Sequence, residues 1–216
     1  MNYIAKRVET ELGTMIAVAT EKGICLLDFA DCQRLNHKLQ SLEAAFNVPV
    51  ALHGNPHLDA LEREHGQIRP HDPSCTSHLE ALEGQPGCTT THNASCNLHL
   101  DTLEKQLAEY FKGERREFDI PLDLIGTEFQ KTVWLSLQQV PYGHTISYGE
   151  QAKLIGRPTA VRAVANANRQ NRVAIILPCH RVIGSDGTLT GYGGGIWRKE
   201  KLLEIEKRHL CPLMGG

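Results

Sequence analysis

The residue with the clearest chemical potential is Cys179. It sits in Pro178-Cys-His-Arg181, after the apolar run 173–177 and before Val182 and Ile183. The thiolate is the reactive form of cysteine, and nearby positive charge favours it. His180 is a candidate base for the thiol proton, and Glu206 a candidate third group to orient that base. The same residues also fit a plainer reading, in which Cys179 is a buried structural cysteine and Glu206 a surface glutamate on the last helix. Residue types alone leave both readings open.

A second group is cationic. Arg157, Arg162, Arg169 and Arg172 fall within one short stretch that also holds Ala160, Ala163, Ala165 and Ala167. The arginines suit phosphate contacts, and equally a solvated helix surface. The alanines would let a helix approach a DNA backbone closely, and they are also good helix formers. From Asp119 onward there are 12 Lys+Arg and 8 Asp+Glu, a net +4; the remaining 11 basic and 17 acidic residues give −6, and together these make the −2 of the 216-residue chain. The basic excess places a candidate nucleic-acid surface in the C-terminal part.

These residues must be positioned by recognisable elements. Residues 1–30 read as strands, with a turn at Lys22-Gly23 and an apolar run, Ile24 to Leu27, fit for a covered strand. Leu35, Leu39, Leu42 and Phe46 predict a helix over 31–46. Leu100, Leu103, Leu107, Tyr110 and Phe111 predict another over 98–111, stopped by Gly113. Thr127 is a plausible N-cap for a helix carrying Phe129, Val133, Trp134 and Leu137. Ser147 caps a short helix to Ile155, and Thr159 a second to Asn168; two short helices around Gly156 make a helix-turn-helix pattern. Val173 to Leu177 reads as a buried strand, Ser185-Asp-Gly187 as a hairpin turn, 191–195 as a flexible loop and 198–207 as the last helix. The domain boundary falls at 118/119, giving an N-terminal domain 1–118 and a C-terminal domain 119–216.

Residues 50–98 are atypical. They hold several prolines and three of the seven cysteines, and a six-residue pattern starts at His57, His78 and His99. The stretch is expected to be an insertion in the first domain, partly loop. Its candidate metal ligands are His57, Cys75, His78, Cys88 and Cys96, but no paired metal-ligand spacing occurs, so no metal site is expected. An odd, scattered set of cysteines fits a reduced, cytoplasmic setting, or a nuclear one in a eukaryote. No apolar run reaches membrane length and the N-terminus lacks a secretory pattern, so no membrane association is expected.

Several motifs together carry a resemblance. Ile176-Leu-Pro-Cys-His-Arg-Val-Ile183, Phe129-Gln-Lys-Thr-Val-Trp134, Val140-Pro-Tyr-Gly143, Ser147-Tyr148, Ala160-Val-Arg-Ala-Val164, Gly191-Tyr-Gly-Gly-Gly195 and Arg198 to Leu203 with Glu206 occur in order. This pattern resembles the O6-alkylguanine-DNA alkyltransferases, strongly over 115–207 and less specifically over 3–46 and 98–114. The resemblance implies an α/β, ribonuclease-H-like N-terminal domain and a mainly helical C-terminal domain with a helix-turn-helix and small wing. It implies a monomer that binds double-stranded alkylated DNA from the minor groove and flips out the damaged guanine, since O6 is unreachable in a stacked base. Cys179 would take the alkyl group once and irreversibly, with His180 as base through a water, Glu206 orienting it, Tyr148 bonding the flipped base and Asn171 bracing the cysteine loop. Arg162 would fill the gap left by the base. Thr159, Ala163, Arg169, Arg157 and Ser147 are the further DNA-binding candidates. Tyr192, Gly193, Val182, Pro178 and Trp134 are the candidates for the substrate pocket. O4-alkylthymine would be a possible second substrate. No cofactor is implied, because the DNA is the alkyl donor.

Two other classes compete. A non-catalytic sensor of alkylated DNA on the same scaffold would lack the cysteine, which this chain keeps. A helix-turn-helix regulator would not need Pro-Cys-His-Arg.

Overall fold

A computed structural model describes residues 3–47 and 90–210. Its first three strands, β1 (Tyr3–Val8), β2 (Met15–Thr20) and β3 (Gly23–Phe29), form an antiparallel sheet in the order β1-β2-β3. β2 and β3 are buried along their whole length, which explains their near-continuous apolar sequence. Gly23 is required at their tight turn. It has φ +145°, and a Cβ there would lie 2.2 Å from the Pro121 carbonyl oxygen.

Two helices cover this sheet. α1 (Leu35–Phe46) buries Leu35, Leu39, Leu42 and Phe46, and Phe46 stacks on Tyr3 at 5.7 Å between ring centroids. Residues 31–34 lie ahead of α1, so it starts later than its apolar spacing suggests. α2 (Thr90–Phe111) packs on all three strands. It begins inside the stretch expected to be an insertion, earlier than the predicted Leu98, and Gly113 follows it in the left-handed region at φ +79°. The expected repeat starts His57 and His78, and most of the 50–98 stretch, lie outside the described residues.

The outer edge of β3 is closed by the C-terminal half. Ile24 N–H donates to Pro121 O at 2.8 Å and Asp123 N–H to Ile24 O at 2.9 Å. Further along the strand, Leu27 N–H donates to Arg172 O and Ala174 N–H to Leu27 O, both at 2.8 Å. The segment leading to Cys179 is therefore held directly by the β3 edge of the N-terminal sheet.

In the C-terminal half, α3 (Glu128–Ser136) begins with a full capping box between Thr127 and Gln130. β4 (Ile146–Ser147) pairs in parallel with β5 (Val182–Ile183). α4 (Tyr148–Leu154) starts with a second capping box, Ser147 with Glu150, and Gly156 at φ +70° turns the chain toward α5 (Val161–Arg169). Val133, Ala152, Val164 and Ala167 form a small core among these helices. The larger core runs from the sheet through Trp134, Leu137 and Leu177 to Leu202 and Ile205 of α6 (Ile196–Leu210). The molecule thus joins an α/β N-terminal part to a mainly helical C-terminal part. No helix among the described residues is long and apolar enough to cross a membrane.

Two local expectations are corrected. Thr159 does not cap α5: Ala160 occupies that position, with no side-chain capping bond, and Thr159 is exposed just before it. Val173 to Leu177 is not a strand. Only Val173 bridges β3, and the rest folds into turns with Ile175 at φ +71°. The run is apolar because every residue in it is buried, and burial looks alike in a strand and in a packed turn.

Candidate active site

Cys179 opens a short 3-10 turn ending at Arg181, directly after Pro178. Asn171 holds this turn in shape. Its Nδ2 donates to Leu177 O at 2.8 Å and to Cys179 Sγ at 3.3 Å, while its Oδ1 accepts from Val173 N–H at 3.0 Å. The backbone oxygen of Asn171 accepts in turn from Lys38 Nζ of α1, and Lys38 pairs with Asp28 of β3 at 2.5 Å. The N-terminal part thus buttresses the turn that presents the thiol.

Burial pushes the Cys179 thiol above its ordinary value, and the bond from Asn171 and the charges of Lys38 and Lys199 offset only part of this. At neutral pH the resting group is a thiol, so a nucleophile requires a base. His180 is fully buried, and burial lowers its pKa despite the opposing pull of Glu206. A neutral imidazole is therefore the resting form.

Glu206 fixes which nitrogen of His180 carries the proton. Burial alone would raise its carboxyl, but His180 and Arg181 outweigh that and hold it at about 2. As a carboxylate it can only accept. His180 Nε2 lies 2.8 Å from Oε1 and must be the protonated nitrogen. Nδ1 then carries the lone pair, and it is buried with no hydrogen bond to the protein. Tyr110 O–H donates to the same Oε1 at 2.8 Å and Gly143 N–H to Oε2 at 2.8 Å. Arg181 adds Nε and Nη2 at 3.0 and 2.9 Å, and its Nη1 donates to Val140 O at 2.7 Å.

A cleft of about 290 Å³ lies beside α5, walled by Tyr148, Arg162, Ala165, Asn166, Arg169 and the Thr190-Gly191 turn. Tyr148 O–H donates to Thr190 O at 3.1 Å, and burial raises its pKa. The buried Lys199 ties the same turn down, donating to Thr190 O at 2.7 Å and Val182 O at 2.6 Å. Burial lowers this lysine to about 8. Arg162, Ala163 and Arg169 are exposed on α5.

Other candidates are placed differently. Arg157 lies over the Phe129 ring at 5.6 Å. The Ser147 hydroxyl is used by the capping box. Tyr192 has its hydroxyl buried without a hydrogen bond, and Gly193 O accepts from Cys32 Sγ at 3.2 Å. Val182 is a buried strand residue, and Pro178 lines a separate cleft with Arg116 and Tyr142. Trp134 is a core residue, 1% exposed, whose indole N–H donates to Ala167 O at 2.8 Å. It fastens α5 to α3 and is absent from the cleft wall. Among the described residues no three His, Cys, Asp or Glu side chains cluster as a metal site, and Cys96 is buried in the core. His57, Cys75, His78 and Cys88 lie outside the described residues.

Tyr110, Arg181, Lys199 and Lys38 are the site residues that sequence reasoning did not assign. Arg181 and Lys199 had a signal, since they stand within the cysteine motif and the Arg198–Leu203 motif. Tyr110 and Lys38 are brought in from distant segments and had none.

Comparison with known proteins gives a consistent picture. Residues 128–208 match the family model "6-O-methylguanine DNA methyltransferase, DNA binding domain" and residues 70–124 the model "6-O-methylguanine DNA methyltransferase, ribonuclease-like domain". The latter match starts inside the stretch read as an insertion. A methylated-DNA–protein-cysteine methyltransferase of Mycolicibacterium paratuberculosis is 61% identical over 105 residues, 49% of this chain and 64% of that protein. One of Methanosarcina acetivorans is 57% identical over 102 residues, 47% of this chain and 65% of that protein. These alignments span a little under two thirds of the relatives' length. In three dimensions the chain is similar to the Mycobacterium tuberculosis O6-methylguanine methyltransferase, with TM-score 0.65 and 32% identity over 98% of this chain and 96% of the other. It is also similar to the same organism's OGT in complex with DNA, with TM-score 0.63 and 33% identity over 97% and 94% of the two chains. The chain belongs to the 6-O-methylguanine DNA methyltransferase family.

Proposed function

We propose that this protein repairs DNA by moving an alkyl group, methyl above all, from O6 of a damaged guanine to Cys179, once and irreversibly. The observation that carries this reading is the buried pair beside the thiol: His180 Nε2 is committed to Glu206, and the lone pair of Nδ1 is uncommitted. The thiol proton passes to Nδ1 through one water. Sγ then attacks the alkyl carbon in line, the S–C bond forms as the C–O6 bond breaks, and guanine departs with its electron pair. The Tyr148 O–H turns from Thr190 O to donate to N3 of the departing base, which leaves as neutral guanine once a proton is supplied. The product is a thioether with no easy leaving group, so each molecule acts once.

DNA is the partner, bound as a duplex through its minor groove by α4 and α5. Arg162 fills the space left by the extruded guanine, Thr159, Ala163 and Arg169 approach the backbone beside it, and Asn171 braces the cysteine turn. Tyr192 and Gly193 line the base pocket. The protein acts as a cytoplasmic monomer, its N-terminal domain (1–118) carries the ribonuclease-H-like arrangement, and residues 119–216 hold the chemistry. O4-alkylthymine is a second candidate substrate. The direct support is the match to solved relatives, one of them a complex with DNA, together with the exposed cations beside the cleft.

Cys179→Ala tests the reading. Transfer from a duplex carrying O6-methylguanine should disappear while binding to that duplex persists. Loss of binding would make the cysteine structural, and persistence of transfer would place the acceptor elsewhere.

A further inference from the structure

Apart from the clefts at Tyr148 and at Pro178, the described surface has a smaller recess where the N- and C-terminal parts meet. Arg34, His37 and Lys38 wall it from the start of α1, and Arg169 and Arg172 from the end of α5 and the turn beyond. Two glutamine side chains complete the lining, and no carboxylate does. Its volume is about 30 Å³, enough for one small polar group.

The charge in this recess is unbalanced. Lys38 is neutralised by Asp28. Arg34, Arg169 and Arg172 have no carboxylate partner among the described residues, so no counter-charge neutralises them. α1 has no acidic residue in its first turn to offset the positive end of the helix. Arg172 Nη2 donates to Ser41 Oγ at 2.8 Å, but its Nη1 is buried without an acceptor. A buried charged donor left unmade is costly, and an anionic oxygen entering the recess would satisfy it. Guanidinium groups in such a cluster match phosphate geometry better than any point charge.

The recess also adjoins the proposed DNA face. Arg169 lines both it and the cleft that holds Arg162 and Tyr148. We propose that the recess binds a backbone phosphodiester of the same duplex that α5 engages, which makes α1 of the N-terminal part a component of the DNA interface. This rests on the reading of α5 as the DNA-binding helix. Arg34 and Arg172 supply the charge, and Arg169 links the two sites along one strand.

Salt dependence of duplex binding tests this, measured by fluorescence anisotropy on the full chain. Each phosphate contact contributes a slope of about 0.9 in log K against log salt. Arg34→Ala should lower the slope by roughly that amount. Lys105→Ala removes the same charge from an exposed site on α2 and should leave it unchanged. Arg34→Gln, melting at the wild-type temperature, should repeat the Arg34→Ala result and exclude unfolding as its cause. A wild-type slope for Arg34→Ala beside a reduced one for Arg162→Ala would overturn the recess and leave α5 as the DNA helix. Equal losses for Arg34→Ala and Lys105→Ala would also overturn it, as a general charge effect. A wild-type protein that fails to bind duplex at all would instead sink the reading of α5, and the recess with it.

Discussion

Two clusters of charge stand close together in this molecule and are built on opposite principles. Around Glu206 every charge is buried and answered: the carboxylate meets Tyr110, His180, Arg181 and Gly143, and side-chain exposure is 0% for both Glu206 and His180. Along α5 and its flanks Arg162 and Arg169 are exposed, and neither pairs with a carboxylate among the described residues. The first cluster spends its polar groups on one another, which fixes a tautomer and a geometry. The second leaves them for a partner. Substitutions in the first should therefore cost stability and chemistry together, whereas those in the second should alter binding and spare the fold.

The largest expected effect comes from Glu206→Ala. It strands Arg181 as a buried, uncompensated charge and releases His180, and breaking such a pair costs about 3–5 kcal/mol. Denaturant unfolding should show that loss, and alkyl transfer by the folded remainder should be severely slowed. A stable Glu206→Ala protein would mean that the buried cluster does not hold the fold together. Arg162→Ala is the counterpart. Stability should stay within about 0.5 kcal/mol of wild type, as expected of an exposed residue. Repair in duplex DNA should fall far more than reaction with free O6-benzylguanine, because only the duplex requires the flipping cost of a few kcal/mol. Equal losses on the two substrates would remove its role in flipping.

Tyr110→Phe sharpens the comparison, since it deletes one donor to Glu206 from the N-terminal half without changing shape. A hydrogen bond to a charged group contributes about 1.5–3 kcal/mol, and a loss in that range is expected in urea unfolding. With one competitor removed, Oε1 holds His180 more strongly, so the acid limb of the transfer rate should move to higher pH. An unchanged pH profile would limit Tyr110 to a structural part.

The pH dependence of the intact protein follows from the same groups. His180 has a lowered pKa in the fold, so the unfolded chain binds its proton first as pH falls. Its neutral form therefore contributes stability above the ordinary value of 6.5, and that contribution declines as pH drops below it. Glu206, held at about 2, contributes in full above the ordinary 4.5 and loses its contribution between there and about 2. Melting temperature should thus decline in two stages on acidification. The smallest effect is expected for Asp31→Ala. Asp31 is 66% exposed, and Arg198 retains Leu12 O and Gly194 O, so less than about 1 kcal/mol should be lost.

Legibility in the sequence divides along the same line. The helix starts at Thr127 and Ser147 were readable because capping is local chemistry, and both became capping boxes. The cysteine motif was readable because its residues are contiguous. Thr159 misled, since a good capping residue does not cap when the turn places Ala160 at the helix start. The 173–177 run misled because a buried turn and a buried strand share an apolar composition. Tyr110 reaches Glu206 from 96 residues away and Lys38 reaches the Asn171 oxygen from 133 away, and no local pattern encodes such meetings.

In the proposed reaction Cys179 itself receives the alkyl group, with the buried His180 as its base. The most direct test mixes the purified protein with an equimolar duplex bearing one O6-methylguanine and reads the intact mass. A gain of about 14 Da is expected, stopping at one equivalent and mapping to the peptide containing Cys179. An unchanged mass with the duplex still bound would contradict it and leave a protein that senses the lesion without repairing it.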